Sequence, residues 1–140
     1  MDANQNMITV EAIVNAPVQK VWEKWITPSD ILQWNNASDD WHTTKAENDL
    51  KVGGKFLSRM EAKDGSAGFD FNGIYDRIKT HELIEYHIEG GRKVTVLFRG
   101  EGNLTKVIET FEAETENPIE LQRGGWQSIL DNFKRHVEAN

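Results

Sequence analysis

The chain has 140 residues, 28% of them charged and 38% hydrophobic, with no cysteine and a formal net charge of -7. A chain of this length is expected to form one domain, 1–140, and to bury roughly 68–70% of the surface its unfolded form exposes. The acidic balance argues against a nucleic-acid or anionic-membrane surface, and the missing cysteines exclude disulfides, thiolate metal sites and a cysteine nucleophile. No segment approaches the ~20 apolar residues of a membrane span. The N-terminal MDANQNM has neither the basic start nor the apolar run of a signal peptide, so a cytoplasmic location is expected.

Residues 7–14, MITVEAIV, alternate enough to predict a first strand. Pro17 then opens a short helix, VQKVWEKWI, with Val18, Val21, Trp22 and Trp25 on one side. Thr27-Pro28-Ser29-Asp30 predicts a second short helix carrying Ile31, Leu32 and Trp34, with threonine as its cap. From Trp41 to Phe111 no helical period survives. Strands are predicted at 41–47, 54–62, 68–79, 83–89, 92–100 and 104–112, divided by glycine-rich or polar turns. Even spacing and tight turns predict an antiparallel meander.

Asn117 to Asn140, NPIELQRGGWQSILDNFKRHVEAN, predicts one long amphipathic helix. Asn117 is the expected cap, with Pro118 in the first turn and Glu120 reaching back in a capping box. Trp126, Ile129, Leu130, Phe133 and Val137 form its apolar stripe. Gly124 and Gly125 interrupt it, each costing about 1 kcal/mol in a helix interior. Such a helix is the one element long enough to cover a curved sheet, and the middle of the concave face is expected to stay partly empty.

The order resembles the helix-grip fold of the START-like (SRPBCC) superfamily, and within it the activator-of-heat-shock-protein-90-ATPase homologue group. The residues that carry the resemblance are Ala16-Pro17 with Val21, Trp22 and Trp25, Pro28 through Trp34, Asp49-Leu50-Lys51-Val52-Gly53-Gly54-Lys55-Phe56, Phe71-Asn72-Gly73-Ile74-Tyr75, and Gly125-Trp126-Gln127 with Ile129, Leu130 and Phe133. It implies an α+β fold: a curved antiparallel sheet of six to seven strands wrapped around the C-terminal helix, with two short helices after the first strand. It also implies a small hydrophobic ligand in the grip cavity, and the group's name adds a chaperone contact.

Among the residues that could line such a cavity, Phe69, Phe71, Gly73 and Tyr75 share one face of their strand, leaving Ile74 and Ile78 on the other. Gly73 removes bulk where a ligand or the helix approaches. Trp126 and Phe133 supply the opposite wall. Glu109 shares its strand face with Val107 and Phe111; there it is either a buried carboxyl with a raised pKa or, if Ile108 points inward, a wet one. His87, and His42 beside Trp41, are the histidines able to point inward, and Arg59 and Arg99 are candidate counter-charges. No histidine pair has metal-site spacing, the glycine motifs lack the context of a phosphate loop, and no nucleophilic triad is visible, so neither metal nor cofactor is expected. The leading expectation is ligand binding by Phe69, Phe71, Tyr75, His87, Glu109, Trp126 and Phe133, in a monomer or homodimer. The alternatives are a cyclase or hydratase-like enzyme using a pocket carboxylate or histidine, and a small chaperone-interacting protein.

Overall fold

The computed structural model describes residues 7–140, so the signal-peptide reading falls largely outside the described residues. The elements run β1 (Met7–Val14), α1 (Val18–Ile26), α2 (Pro28–Trp34), β2 (Trp41–Asn48), β3 (Lys55–Ala62), β4 (Gly68–Lys79), β5 (Leu83–Ile88), β6 (Lys93–Glu101), β7 (Leu104–Glu112) and α3 (Ile119–Ala139). The strands form one seven-stranded antiparallel sheet in the order β1-β7-β6-β5-β4-β3-β2. The β2–β7 segment is thus a simple meander, and β1 adds to its far edge by pairing with β7 from Met7↔Glu112 to Val14↔Thr105. Among the described residues no helix is long and apolar enough to cross a membrane.

All three prolines sit at helix starts, where a missing N–H leaves nothing unsatisfied. Pro17 and Pro118 occupy the N-cap positions of α1 and α3, and Pro28 is the first residue of α2. The capping side chains differ from expectation. Neither Thr27 nor Asn117 caps its helix: the Thr27 hydroxyl donates to the Glu23 carbonyl, 2.7 Å, and the Asn117 amide donates to the Glu114 carboxylate, 2.7 Å. Glu120 pairs with Arg123 instead of reaching back. Gln122 does the work at this end. Only 8% exposed, it donates to the carbonyls of Glu114 and Asn117 and accepts from the Glu114 N–H, pinning the start of α3 to the chain leaving β7.

Bulges between Thr43 and Lys45 in β2 and between Tyr75 and Arg77 in β4 bend the sheet. The second corrects the strand-face reading. Beyond it Ile78 pairs with the buried Ile84 and packs on the core, so it does not share the face of Ile74.

α3 lies along β1 and α2 lies along β2, at opposite edges of the sheet. The apolar core fills the space near α1, β1, β6, β7 and the C-terminal half of α3, where Leu130, Phe133 and Val137 are fully buried. Between the two edges, over β3 to β5, the concave face is not filled.

Candidate functional site

A cavity of about 500 Å³ occupies that space. Its floor comes from the sheet: Phe71 and Tyr75 on β4, Tyr86 on β5 and Glu109 on β7. Its roof is the first half of α3, with Gln122, Gly125, Trp126 and Ile129; Ile31 and Trp34 of α2 close one side. Trp41 and Phe69 stand at the rim, their rings 5.9 Å apart, and Phe69 is 48% exposed.

The unbroken course of α3 resolves what Gly124 and Gly125 do. They do not break the helix, and a methyl group at either would meet nothing within 4 Å. Gly125 borders the cavity, so its missing side chain leaves room there. One turn of the stripe, Trp126 and Ile129, is cavity wall; the next turns are core. The Trp126 indole stacks on Phe111 with centroids 3.8 Å apart and planes within 11°, and it meets the edge of Phe71 at 6.1 Å. Both contacts fix the ring against the floor.

The 49–56 segment positions two further walls. Its turn is hydrogen-bonded to β4 through Gly53 N–H to the Tyr75 carbonyl, 2.8 Å, and Tyr75 N–H to the Gly54 carbonyl, 3.0 Å. The Phe56 ring then lies over Gly73, where an added Cβ would come within 2.7 Å of it and 2.6 Å of the His87 carbonyl. Gly73 therefore makes room for Phe56, not for a ligand or for α3. Tyr75 donates its hydroxyl to Asn48, 2.5 Å, and Asn48 donates to the Ile26 carbonyl, 2.7 Å, which ties β4 and β2 to the end of α1. Burial holds the Tyr75 phenol well above its ordinary pKa.

Glu109 is the unusual group. Its neighbours across the ladder are Val10 and Val96, and it points inward with Val107 and Phe111. It is 6% exposed and borders the cavity, yet its carboxyl makes no hydrogen bond or ion pair with any described residue. Among the described residues every buried side-chain polar atom sealed from solvent is partnered, so the Glu109 oxygens are reached from the cavity. Desolvation alone raises its pKa from 4.5 to about 8. The expected counter-charges do not help: Arg59 pairs with Glu61 and Asp70 away from the cavity, and Arg99 is exposed. The one cavity-lining cation among the described residues, Arg92, donates to the Glu112 carbonyl at 2.9 Å. Tyr86, buried on β5, also has its pKa pushed up, first by burial and then by Glu109 and Tyr75.

Of the expected ligand contacts, Phe69, Phe71, Tyr75, Glu109 and Trp126 gather around the cavity. Phe133 does not. It is 0% exposed and packs edge-on against Trp25 and Trp34, both at 4.9 Å, inside the core. His87 does not either: on β5 the apolar Ile84, Tyr86 and Ile88 take the concave side, which leaves His87 on the convex side, hydrogen-bonded to Asp76 at 2.9 Å. His42 is exposed. Tyr86 and Gln122 are cavity residues that the sequence reading missed. The run LIEYHI held the signal for Tyr86, since its period-two apolar set includes the tyrosine and excludes the histidine.

A curved antiparallel sheet gripping a long C-terminal helix, with a cavity held between them, defines a START-like helix-grip protein. More narrowly, the chain belongs to the Activator of Hsp90 ATPase homolog 1-like protein family, which it matches over residues 15–138. An AHSA1-like protein from Aeromonas hydrophila is 48% identical, with 95% of this chain and 92% of that one covered and a TM-score of 0.89. A protein from Cytophaga hutchinsonii is 51% identical over 96% of this chain and 94% of its own, TM-score 0.83. A protein from Chromobacterium violaceum shares the fold at 22% identity, covering 96% and 99%, TM-score 0.85. No protein of curated function matches the chain.

Proposed function

We propose that this protein binds a small, largely apolar molecule in the cavity between α3 and the sheet. The observation that carries the reading is the cavity itself: about 500 Å³ with nine aromatic side chains among its walls, within the roughly 300–1,000 Å³ usual for ligand sites. The walls are held from behind, by the Asn48–Tyr75 hydrogen bond, the Phe111–Trp126 stack and the Gln122 staple. A pocket whose walls are fixed in advance loses little entropy when it is filled. The test is a panel of lipids, polyketide-like molecules and flat aromatics, read by melting temperature and tryptophan emission. A true ligand at a hundredfold excess over Kd stabilises by about 2.7 kcal/mol, a rise of roughly 5–15 °C in a domain of this size. A panel that moves neither signal removes the reading.

The Glu109 carboxyl favours one further reading, catalysis of the cyclase or hydratase type. An acid with a pKa of about 8 facing a cavity is poised to give or take a proton near neutral pH. Glu109→Gln abolishes turnover of a candidate substrate if this holds, and unchanged turnover excludes it. The family description also suggests a chaperone contact; co-precipitation with an Hsp90 supports it, and none at micromolar concentration removes it.

A further inference from the structure

A carboxyl placed on a core-facing strand position, with valines across the ladder on both sides, is costly unless something partners it. At nine-tenths buried and unpartnered, Glu109 has nothing within the described protein to offset its charge. If its role were only to donate a hydrogen bond to a neutral guest, a glutamine or a second tyrosine would serve without the ionisation cost. What a carboxyl alone adds is a negative charge available when a positive one arrives. Its surroundings suit such an arrival. Tyr86, Tyr75, Phe71 and Trp126 border the same cavity, and aromatic faces attract cations as well as apolar surface. The chain's net charge of -7 also favours approach of a cation over an anion.

We propose that the guest of this cavity is a basic amine on an apolar or aromatic body, with its ammonium group set against Glu109 and its body against Trp126 and Phe71. The inference rests on the cavity being a ligand site and adds the class of ligand. Binding is then coupled to proton release. The empty site holds Glu109 neutral at pH 7, and the ammonium returns it to the charged form. The other ionisable groups on the cavity wall are Glu47 on β2, Tyr75 on β4, Tyr86 on β5, Arg92 ahead of β6 and Glu114 after β7. Both tyrosines have their pKa values raised from 10, so they stay neutral through the range used below. Glu114 has its pKa lowered, chiefly by the backbone N–H and side-chain amide of Asn117, and stays charged throughout.

The experiment compares three probes of nearly one shape, naphthylethylamine, ethylnaphthalene and acetonaphthone, by calorimetric titration of the full chain from pH 6 to pH 9. The amine is expected to bind at least tenfold more tightly than the hydrocarbon at pH 8. Its affinity is expected to rise about fifty-fold from pH 6 to pH 8, since Glu109 with a pKa of about 8 must lose its proton first. Repeating the titration in buffers of different ionisation heat should show close to one proton released at pH 7. Glu109→Gln should keep ethylnaphthalene binding and lose both the amine preference and the pH slope. Equal binding of amine and hydrocarbon overturns the inference while leaving the ligand cavity standing. So does a preference for the ketone that fades above pH 8, which would make Glu109 a neutral donor. Failure of all three probes to bind tells against the cavity reading and this inference together.

Discussion

Replacing Glu109 with glutamine keeps shape and volume and removes one ionisation, so its effect on stability can be worked out from the two ends of the folding reaction. The unfolded chain loses this proton near pH 4.5 and the folded chain near 8. Between those values the native state holds a proton that the unfolded state has released. Stability contributed by this group therefore falls as pH rises from 4.5 to 8 and is level beyond. Between pH 5 and pH 9 the loss is about 4 kcal/mol, a large part of the 5–15 kcal/mol that holds a typical domain folded. The variant lacks this loss. Urea unfolding of both proteins from pH 5 to pH 9 should therefore show the gap moving in favour of Glu109→Gln by about 4 kcal/mol. Asp64, Glu114 and Glu138, whose pKa values are lowered, act in acid below this range, and Tyr75 and Tyr86 act above it. Asp64, Glu114, Glu138 and Tyr75 are common to both proteins and cancel, and Tyr86, which Glu109 helps to push up, acts only above the range. A gap that stays constant within about 1 kcal/mol across the range would refute the idea that Glu109 is buried without a partner.

The two helical glycines should separate stability from binding. Gly124→Ala is expected to raise stability by about 1 kcal/mol with no change in probe affinity, whereas Gly125→Ala should stabilise by a similar amount and weaken ethylnaphthalene binding, because only Gly125 borders the cavity. Gly73→Ala should cost about 1–3 kcal/mol in thermal or urea unfolding, since its methyl group meets the His87 carbonyl and the Phe56 ring below 3 Å. Phe133→Ala should destabilise by about 3–5 kcal/mol, as a core deletion does. His87→Ala, on the convex face with a half-exposed Asp76 partner, should change stability by less than about 1 kcal/mol and leave probe affinity as it was.

The elements were readable in the sequence because their signals are local. Prolines mark all three helix starts, glycine and polar clusters mark the turns, and period-two alternation marks the strands, so element order and nearly every boundary follow from neighbours along the chain. The site is less readable because its placement depends on register. The bulge after Tyr75 moves Ile78 to the other face, and no residue in FNGIYDRIK announces it. In LIEYHI the histidine has the chemistry of a polar contact, but the period-two apolar set places Tyr86 inside and His87 outside. The stripe of α3 is continuous in sequence, yet it divides into cavity wall at Trp126 and core at Phe133. That division is set by how far α1 and α2 reach beneath the helix, where Trp25 and Trp34 meet Phe133. Glu109 was legible as one of two faces. Only the packing of the folded sheet shows that the face of Val107, Glu109 and Phe111 is the covered one, and that no cation among the described residues comes with it.

The chain's five tryptophans offer the most direct check on whether the cavity takes a guest. Trp25, Trp34, Trp41 and Trp126 border the cavity, whereas Trp22 packs against His81 and Phe98 and does not line it. Nuclear magnetic resonance of the five indole N–H signals during titration with ethylnaphthalene should shift the first four, Trp126 most, and leave Trp22 in place. A saturable shift at Trp22 without one at Trp126, or no shift at any of the five, would contradict a ligand site between α3 and the sheet.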